Sequence, residues 1–353
     1  MFNIKLNPLW SKTVLVITFS FLLLLSSYVL IDPEGSAKNL LNIYNFFAIN
    51  FESFFLYFGF GVLVFLIIIS ISKSGSKKIL LQGRTTYSYF SWYSMLFATG
   101  MGAALLYWST YEWLVYYTNP ISGEEQSLLK ARSYPLFHWT FTGWALYILP
   151  TVSFVFSLMK NPNTPLTFSG ILLKEQSGPL RIILDIFFIG AILTGAGVGL
   201  ALSFPLMSAA VSKLFNLNQT IYLDFLMLLI CMFIVAISVY KGLQNGIRKL
   251  SNFNIILVII FLTLILLAGP TKYIVTNTIE PFVYIVKNYL SLSLIKSQYS
   301  LDWTVFYWAW YIALAPAVGA FIVNISNNKT VRELIVGALI VGSLGSIFHI
   351  GVL

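Results

Sequence analysis

Nine stretches of this chain stay apolar for about twenty residues or more, the length an α-helix needs to cross the hydrocarbon core of a bilayer. They lie near 13–31, 53–72, 90–117, 137–159, 182–211, 221–240, 251–269, 303–324 and 333–353, each bounded by charge or by Gly, Pro and Asn. A soluble fold would have to bury nearly all of them on every side, which 353 residues cannot do. With 58% hydrophobic and 9% charged residues, the expected class is an all-α integral membrane protein with about nine transmembrane helices. The first run has no small-residue cleavage site before the acidic loop at Asp32, Pro33 and Glu34, so it reads as a retained span. Between the seventh and eighth runs, residues 270–302 mix apolar and polar side chains at helical spacing and read as an amphipathic interfacial helix.

Charge sets the expected orientation. With the N-terminus in the cytoplasm, 14 of the 21 Lys and Arg residues fall on inside segments, among them Lys73, Lys77, Lys78, Arg84, Arg248, Lys329 and Arg332. The net charge of +9 follows from this bias, and its spread over separate short loops gives no basic face for nucleic acid. A single cysteine, Cys231, excludes an internal disulfide, and His138 and His349 are too few and too far apart in sequence for a recognisable metal site. The scattered acids, two histidines and one cysteine compose no nucleophile and base, so an enzyme is not expected.

Two apolar runs carry aromatic faces. In FHWTFTGWALYILP (137–150), taken as one helix, Trp139, Trp144 and Tyr147 fall at about 0°, 140° and 80°, within one arc. In the run from Trp303, Trp310 lies about 40° and Tyr311 about 140° from Phe306. Aromatics at the ends of spans usually form an interface belt, which suits Trp139 and Trp303, but the others sit deeper. Two deep aromatic faces are what a cage for a quaternary ammonium requires, because ring faces attract the cation and offer its methyl groups apolar contact. A third feature is the small-residue stretch around Gly100, Met101 and Gly102, readable as a helix-packing patch or as a broken helix with carbonyls facing a cation.

Three segments, GMGAALLYWSTYE, HWTFTGWALY and DWTVFYWAWYIALAPAVGAFIVNISNNKTVRE, resemble the betaine/carnitine/choline transporter family, with similarity from about residue 10 to the end. The resemblance implies a LeuT-type inverted-repeat core. Residues 1–88 would be two peripheral helices, 89–269 the first five-helix repeat, 270–302 the interfacial segment and 303–353 the first two helices of an incomplete second repeat. It implies a substrate site of Trp139, Trp144, Tyr147, Trp310 and Tyr311, with Phe306, Gly100 and Met101 beside it, and a possible sodium site using the backbone carbonyls of Ala98 and Met101. Ile192, Ala196 and Ala317 stand where sodium-coupled members carry two threonines and a phenylalanine, so a further sodium site looks absent. Leu314 replaces one aromatic of the cage, and Ala104 replaces the last glycine of the family's glycine stretch. Glu112 matches the family's glutamate after that stretch and reads as a structural hydrogen-bonding group or a proton-coupling one.

The implied activity is secondary transport of a betaine-, choline- or carnitine-like amine across the plasma membrane by alternating access, with no cofactor and Na+ as the one candidate ion. Family members have twelve helices, so this chain reads as a fragment, as one half completed by a C-terminal partner, or as a non-transporting subunit or remnant. Beyond the lipid bilayer and the amine, a homotrimer is the partner the resemblance implies.

Overall fold

The computed structural model describes residues 8–100, 103–120, 126–173 and 178–353. Among them the secondary structure is helical, apart from one isolated antiparallel bridge between Lys78 and Thr330. In chain order the helices are α1 (Pro8–Ile31), α2 (Pro33–Ile71), α3 (Tyr89–Gly100), α4 (Ala103–Thr118), α5 (Leu128–His138), α6 (Phe141–Lys160), α7 (Phe168–Leu172), α8 (Pro179–Phe215) and α9 (Ile221–Tyr240). They continue with α10 (Arg248–Ala268), α11 (Thr271–Leu294), α12 (Val305–Ile325), α13 (Val331–Val336) and α14 (Ser343–Val352). A π-helical turn precedes α10, another precedes α12, and a third, Gly337–Gly342, joins α13 to α14.

Eight helical stretches among the described residues are long and apolar enough to span a bilayer. In the third expected run, 90–117, residues 101 and 102 lie outside the described residues, with α3 before them and α4 after them. The second run starts earlier than its hydropathy suggests. Asp32 and Glu34 do not form a loop: Asp32 caps α2 by accepting from the Gly35 amide at 2.9 Å, and Pro33 occupies the first turn, where its missing N–H costs nothing. The resulting 39-residue helix is about 58 Å long at 1.5 Å per residue, well beyond the bilayer core.

The fourth run is divided. α5 ends at His138 and α6 starts at Phe141, so Trp139 is not on the same helix as Trp144 and Tyr147. Pro135 sits inside α5, the Trp139 amide reaches its carbonyl at 3.0 Å, and Thr140 is non-helical with φ −113° and ψ −138°.

α6 and α12 form the centre of the fold, flanked by α2, α3, α5 and α13. Two glycines let the central pair approach closely, as small residues do between membrane helices. A Cβ at Gly319 would lie 2.9 Å from the Thr151 amide nitrogen, and one at Gly143 would lie 2.9 Å from both the His138 carbonyl and the Tyr311 ring. Outside this core, α1, α8, α9 and α10 expose large apolar side chains such as Phe21, Phe187, Phe233 and Leu264, the surface that lipid solvates.

The loop after α2 pairs with the turn between α12 and α13. The Ile79 amide donates to the Lys329 carbonyl at 2.8 Å, the Asn328 amide to the Ile79 carbonyl at 2.7 Å, and Arg332 Nε to the Ser70 carbonyl at 2.6 Å. Lys329 is buried with its Nζ 3.4 Å from the Tyr89 ring centroid, and desolvation lowers its pKa against the opposing influence of Glu333.

Replacing Gly319 by Ala is expected to lower the thermal unfolding midpoint of the detergent-solubilised protein, the loss being about 1–3 kcal/mol for an overpacked core contact. Gly197→Ala, where an added Cβ meets nothing within 4 Å, should leave the midpoint nearly unchanged.

Candidate functional site

The aromatic residues named from the sequence converge where α6 crosses α12. Trp139, Trp144, Tyr147 and Tyr311 are buried, while Trp310 and Phe306 are half-buried. Tyr311 is the hub: its ring meets Tyr147 edge-on at 5.0 Å between centroids and Trp139 at 6.1 Å. Trp144 meets Tyr147 at 6.4 Å, Trp139 meets Trp310 at 6.1 Å, and Phe306 meets Trp310 at 5.8 Å. All but the tilted Phe306–Trp310 pair are edge-to-face contacts, which suit the quadrupoles of the rings. The six aromatics are therefore brought together, although the break at 139–140 means that no single helical arc does it.

The indole of Trp144 is held between two glycines. A Cβ at Gly100 would stand 2.8 Å from its Cη2 and Cζ3, and one at Gly342 would stand 2.4 Å from its Cε2. Gly100 thus lies against the aromatic cluster, and its missing side chain makes room for a ring. Met101 lies outside the described residues. Ala98 is half-buried in the last turn of α3. At the other proposed sodium position, Ile192, Ala196 and Ala317 carry no side-chain oxygen, so that set does not fit a hard cation. The position where Leu314 replaces an aromatic faces α8: a Cβ at Gly195 would fall 2.2 Å from Leu314 Cδ2, so this side chain packs between helices.

Sequence reasoning passed over Tyr307, Trp308 and Phe97, which extend the cluster. Tyr307 stacks within 6.2 Å of Trp310 and 6.1 Å of Tyr311, Trp308 lies 6.0 Å from Tyr311, and Phe97 stacks on Trp144 at 6.0 Å. Tyr307 and Trp308 sit between Phe306 and Trp310 in a run that was already singled out, but a wheel drawn for α12 alone cannot show that it is surrounded by rings from α4, α5 and α6.

Behind the rings lies a buried polar network that neither histidine's spacing revealed. Glu112 on α4 and His138 on α5 are both fully buried. Glu112 Oε2 accepts from Trp139 Nε1 at 2.9 Å, and Oε1 accepts from the Tyr116 hydroxyl at 2.7 Å and faces His138 Nδ1 at 3.1 Å. His138 Nε2 lies 3.0 Å from the Thr304 hydroxyl, and its ring stacks on Tyr307 at 4.5 Å. Buried polar atoms of this kind are stable only when partnered, and these partners tie α4 and α5 to the start of α12. By contrast, Trp144 Nε1, Trp310 Nε1 and the Tyr311 hydroxyl are buried with no acceptor among the described residues.

Residues 13–353 match the family described as BCCT, betaine/carnitine/choline family transporter. Among similar proteins, a carnitine transporter of Acinetobacter baumannii is 29% identical over 310 residues, covering 84% of this chain and 56% of that protein. A glycine betaine transporter of Acinetobacter baylyi is 27% identical over 353 residues, covering 96% of this chain and 52% of its own length. A glycine betaine/proline/choline/ectoine transporter of Vibrio parahaemolyticus is 30% identical over 359 residues, covering 96% of this chain and 62% of its own length. The chain spans about half the length of the first two relatives. With a family match running over nearly all of its residues and eight helical stretches fit to cross a membrane, the chain belongs to the betaine/carnitine/choline transporter family.

Proposed function

We propose that this chain carries the substrate site of a secondary transporter for a quaternary-ammonium or related amine, moved across the plasma membrane by alternating access. The single observation that carries the reading is the convergence of Trp139, from the break after α5, with Trp144 and Tyr147 of α6 and Trp310 and Tyr311 of α12 on one cluster. A trimethylammonium group is attracted by ring faces and needs no partner carboxylate in contact with it. The indole N–H groups of Trp144 and Trp310 and the hydroxyl of Tyr311 are donors left for the oxygen atoms that a betaine, carnitine or choline molecule carries at its other end. The names of the similar proteins, which include carnitine, glycine betaine and choline transporters, support the same substrate class. The distribution of Lys and Arg supports a cytoplasmic N-terminus. The two lost threonine positions at Ile192 and Ala196 favour transport without the sodium ion that they would bind.

Binding of radiolabelled choline, glycine betaine and carnitine to the protein in lipid nanodiscs tests the site. Trp144→Ala and Trp310→Ala should each weaken the preferred ligand by about 1 kcal/mol or more, roughly fivefold. Unchanged affinity in both variants would overturn the assignment. Gly342→Ala, which pushes a methyl group into the Trp144 indole, should weaken the same ligand while every aromatic ring is retained.

A further inference from the structure

We infer that Glu112 is the specificity-determining residue that makes the aromatic site prefer a cation to a neutral molecule of the same shape, acting through the indole of Trp139. The inference rests on the substrate site proposed above. Trp139 has two sides: its ring meets Trp310 and Tyr311, and its N–H donates to Glu112. Both oxygens of Glu112 accept hydrogen bonds, Oε1 from the Tyr116 hydroxyl and Oε2 from the Trp139 indole. His138 faces Glu112 Oε1 through Nδ1 at 3.1 Å and the Thr304 hydroxyl through Nε2 at 3.0 Å. No Lys or Arg forms an ion pair with Glu112 among the described residues.

The buried carboxylate of Glu112 is thus placed one indole away from the proposed cation site, without touching the ligand. Two effects follow from this position. The charge attracts a cation across a medium of low dielectric, where such an interaction is screened far less than in water. Its hydrogen bond to the indole N–H also polarises the ring and raises electron density on the face presented to the cation. A neutral ligand with the same three methyl groups gains from neither effect. Glu112 is accordingly a positioning and field-setting residue, distinct from the rings that make contact.

The competing reading is that Glu112 only anchors α4, α5 and the start of α12, and the two differ in a measurable way. Choline and its uncharged carbon isostere 3,3-dimethylbutan-1-ol have the same shape, so their affinity ratio isolates the effect of charge. In nanodiscs, Glu112→Gln should weaken choline on the order of tenfold, the Coulomb attraction of unit charges about 10 Å apart at an effective dielectric near 20. The isostere should stay within about twofold of its wild-type affinity. Trp139→Phe, which keeps a ring but removes the N–H, should lower the same ratio by a smaller factor and serves if Glu112→Gln does not fold. Equal losses for both ligands, or an unchanged ratio in whichever variant folds, overturn the inference, as does a wild type that binds choline no better than the isostere. Trp144→Ala separates the two claims: it should weaken both ligands, and if it weakens neither, the aromatic site itself is wrongly placed and the role of Glu112 falls with it.

Discussion

The close crossing of α6 and α12 is the contact on which the rest of the structure depends. Within a bilayer no hydrophobic force drives helices together, so packing and hydrogen bonding must do so. Gly143 and Gly319 remove the side chains that would keep the two backbones apart. What the missing side chains leave is filled by rings: Tyr311 against Gly143, and the edges of Tyr147 and Trp139 against Tyr311. The same device recurs around Trp144, which lies against Gly100 at the end of α3 and Gly342 in the last π-helical turn. Glycines and aromatics are thus complementary halves of one packing scheme.

The break between α5 and α6 gives that scheme its polar side. Because the chain leaves helical geometry at Thr140, the neighbouring residues His138 and Trp139 both reach the same carboxylate, Glu112. A buried glutamate without partners would cost several kcal/mol. Hydrogen bonds from Tyr116 and Trp139 and the contact with His138 Nδ1 offset that cost, and Thr304 lies against the far side of the imidazole. The network therefore fixes the orientation of Trp139, the one aromatic of the candidate site that no continuous helix positions. A second tie is simpler: backbone pairing of Ile79 with Asn328 and Lys329 joins the loop after the long second helix to the turn after α12.

Membrane class and helical content were legible in the sequence, as were the aromatic residues that cluster where α6 crosses α12. Apolar runs of about twenty residues admit few structures in lipid, since every backbone N–H and C=O must be paired within the segment. The aromatic residues stood out because they interrupt aliphatic runs away from the ends of spans. Helix limits were less legible. Hydropathy placed the start of α2 some twenty residues late, because residues 33–52 are more polar than the part that follows, yet Asp32 and Pro33 start a helix there. A helical wheel drawn through 139–147 assumed a continuity that the chain interrupts at 139–140.

What the sequence by itself determined, then, is a multi-pass helical membrane protein with rings concentrated in two runs, because the lack of water in the bilayer is a constraint that acts on each segment separately. Only the tertiary structure decided that Tyr311 is the hub, that Leu314 packs against Gly195 instead of joining the rings, and that Glu112, His138 and Trp139 form one network. These are contacts between segments far apart in the chain, such as Glu112 with Trp139 and His138 with Thr304, and they depend on how closely two backbones can approach, a quantity that no single helix carries in its own periodicity.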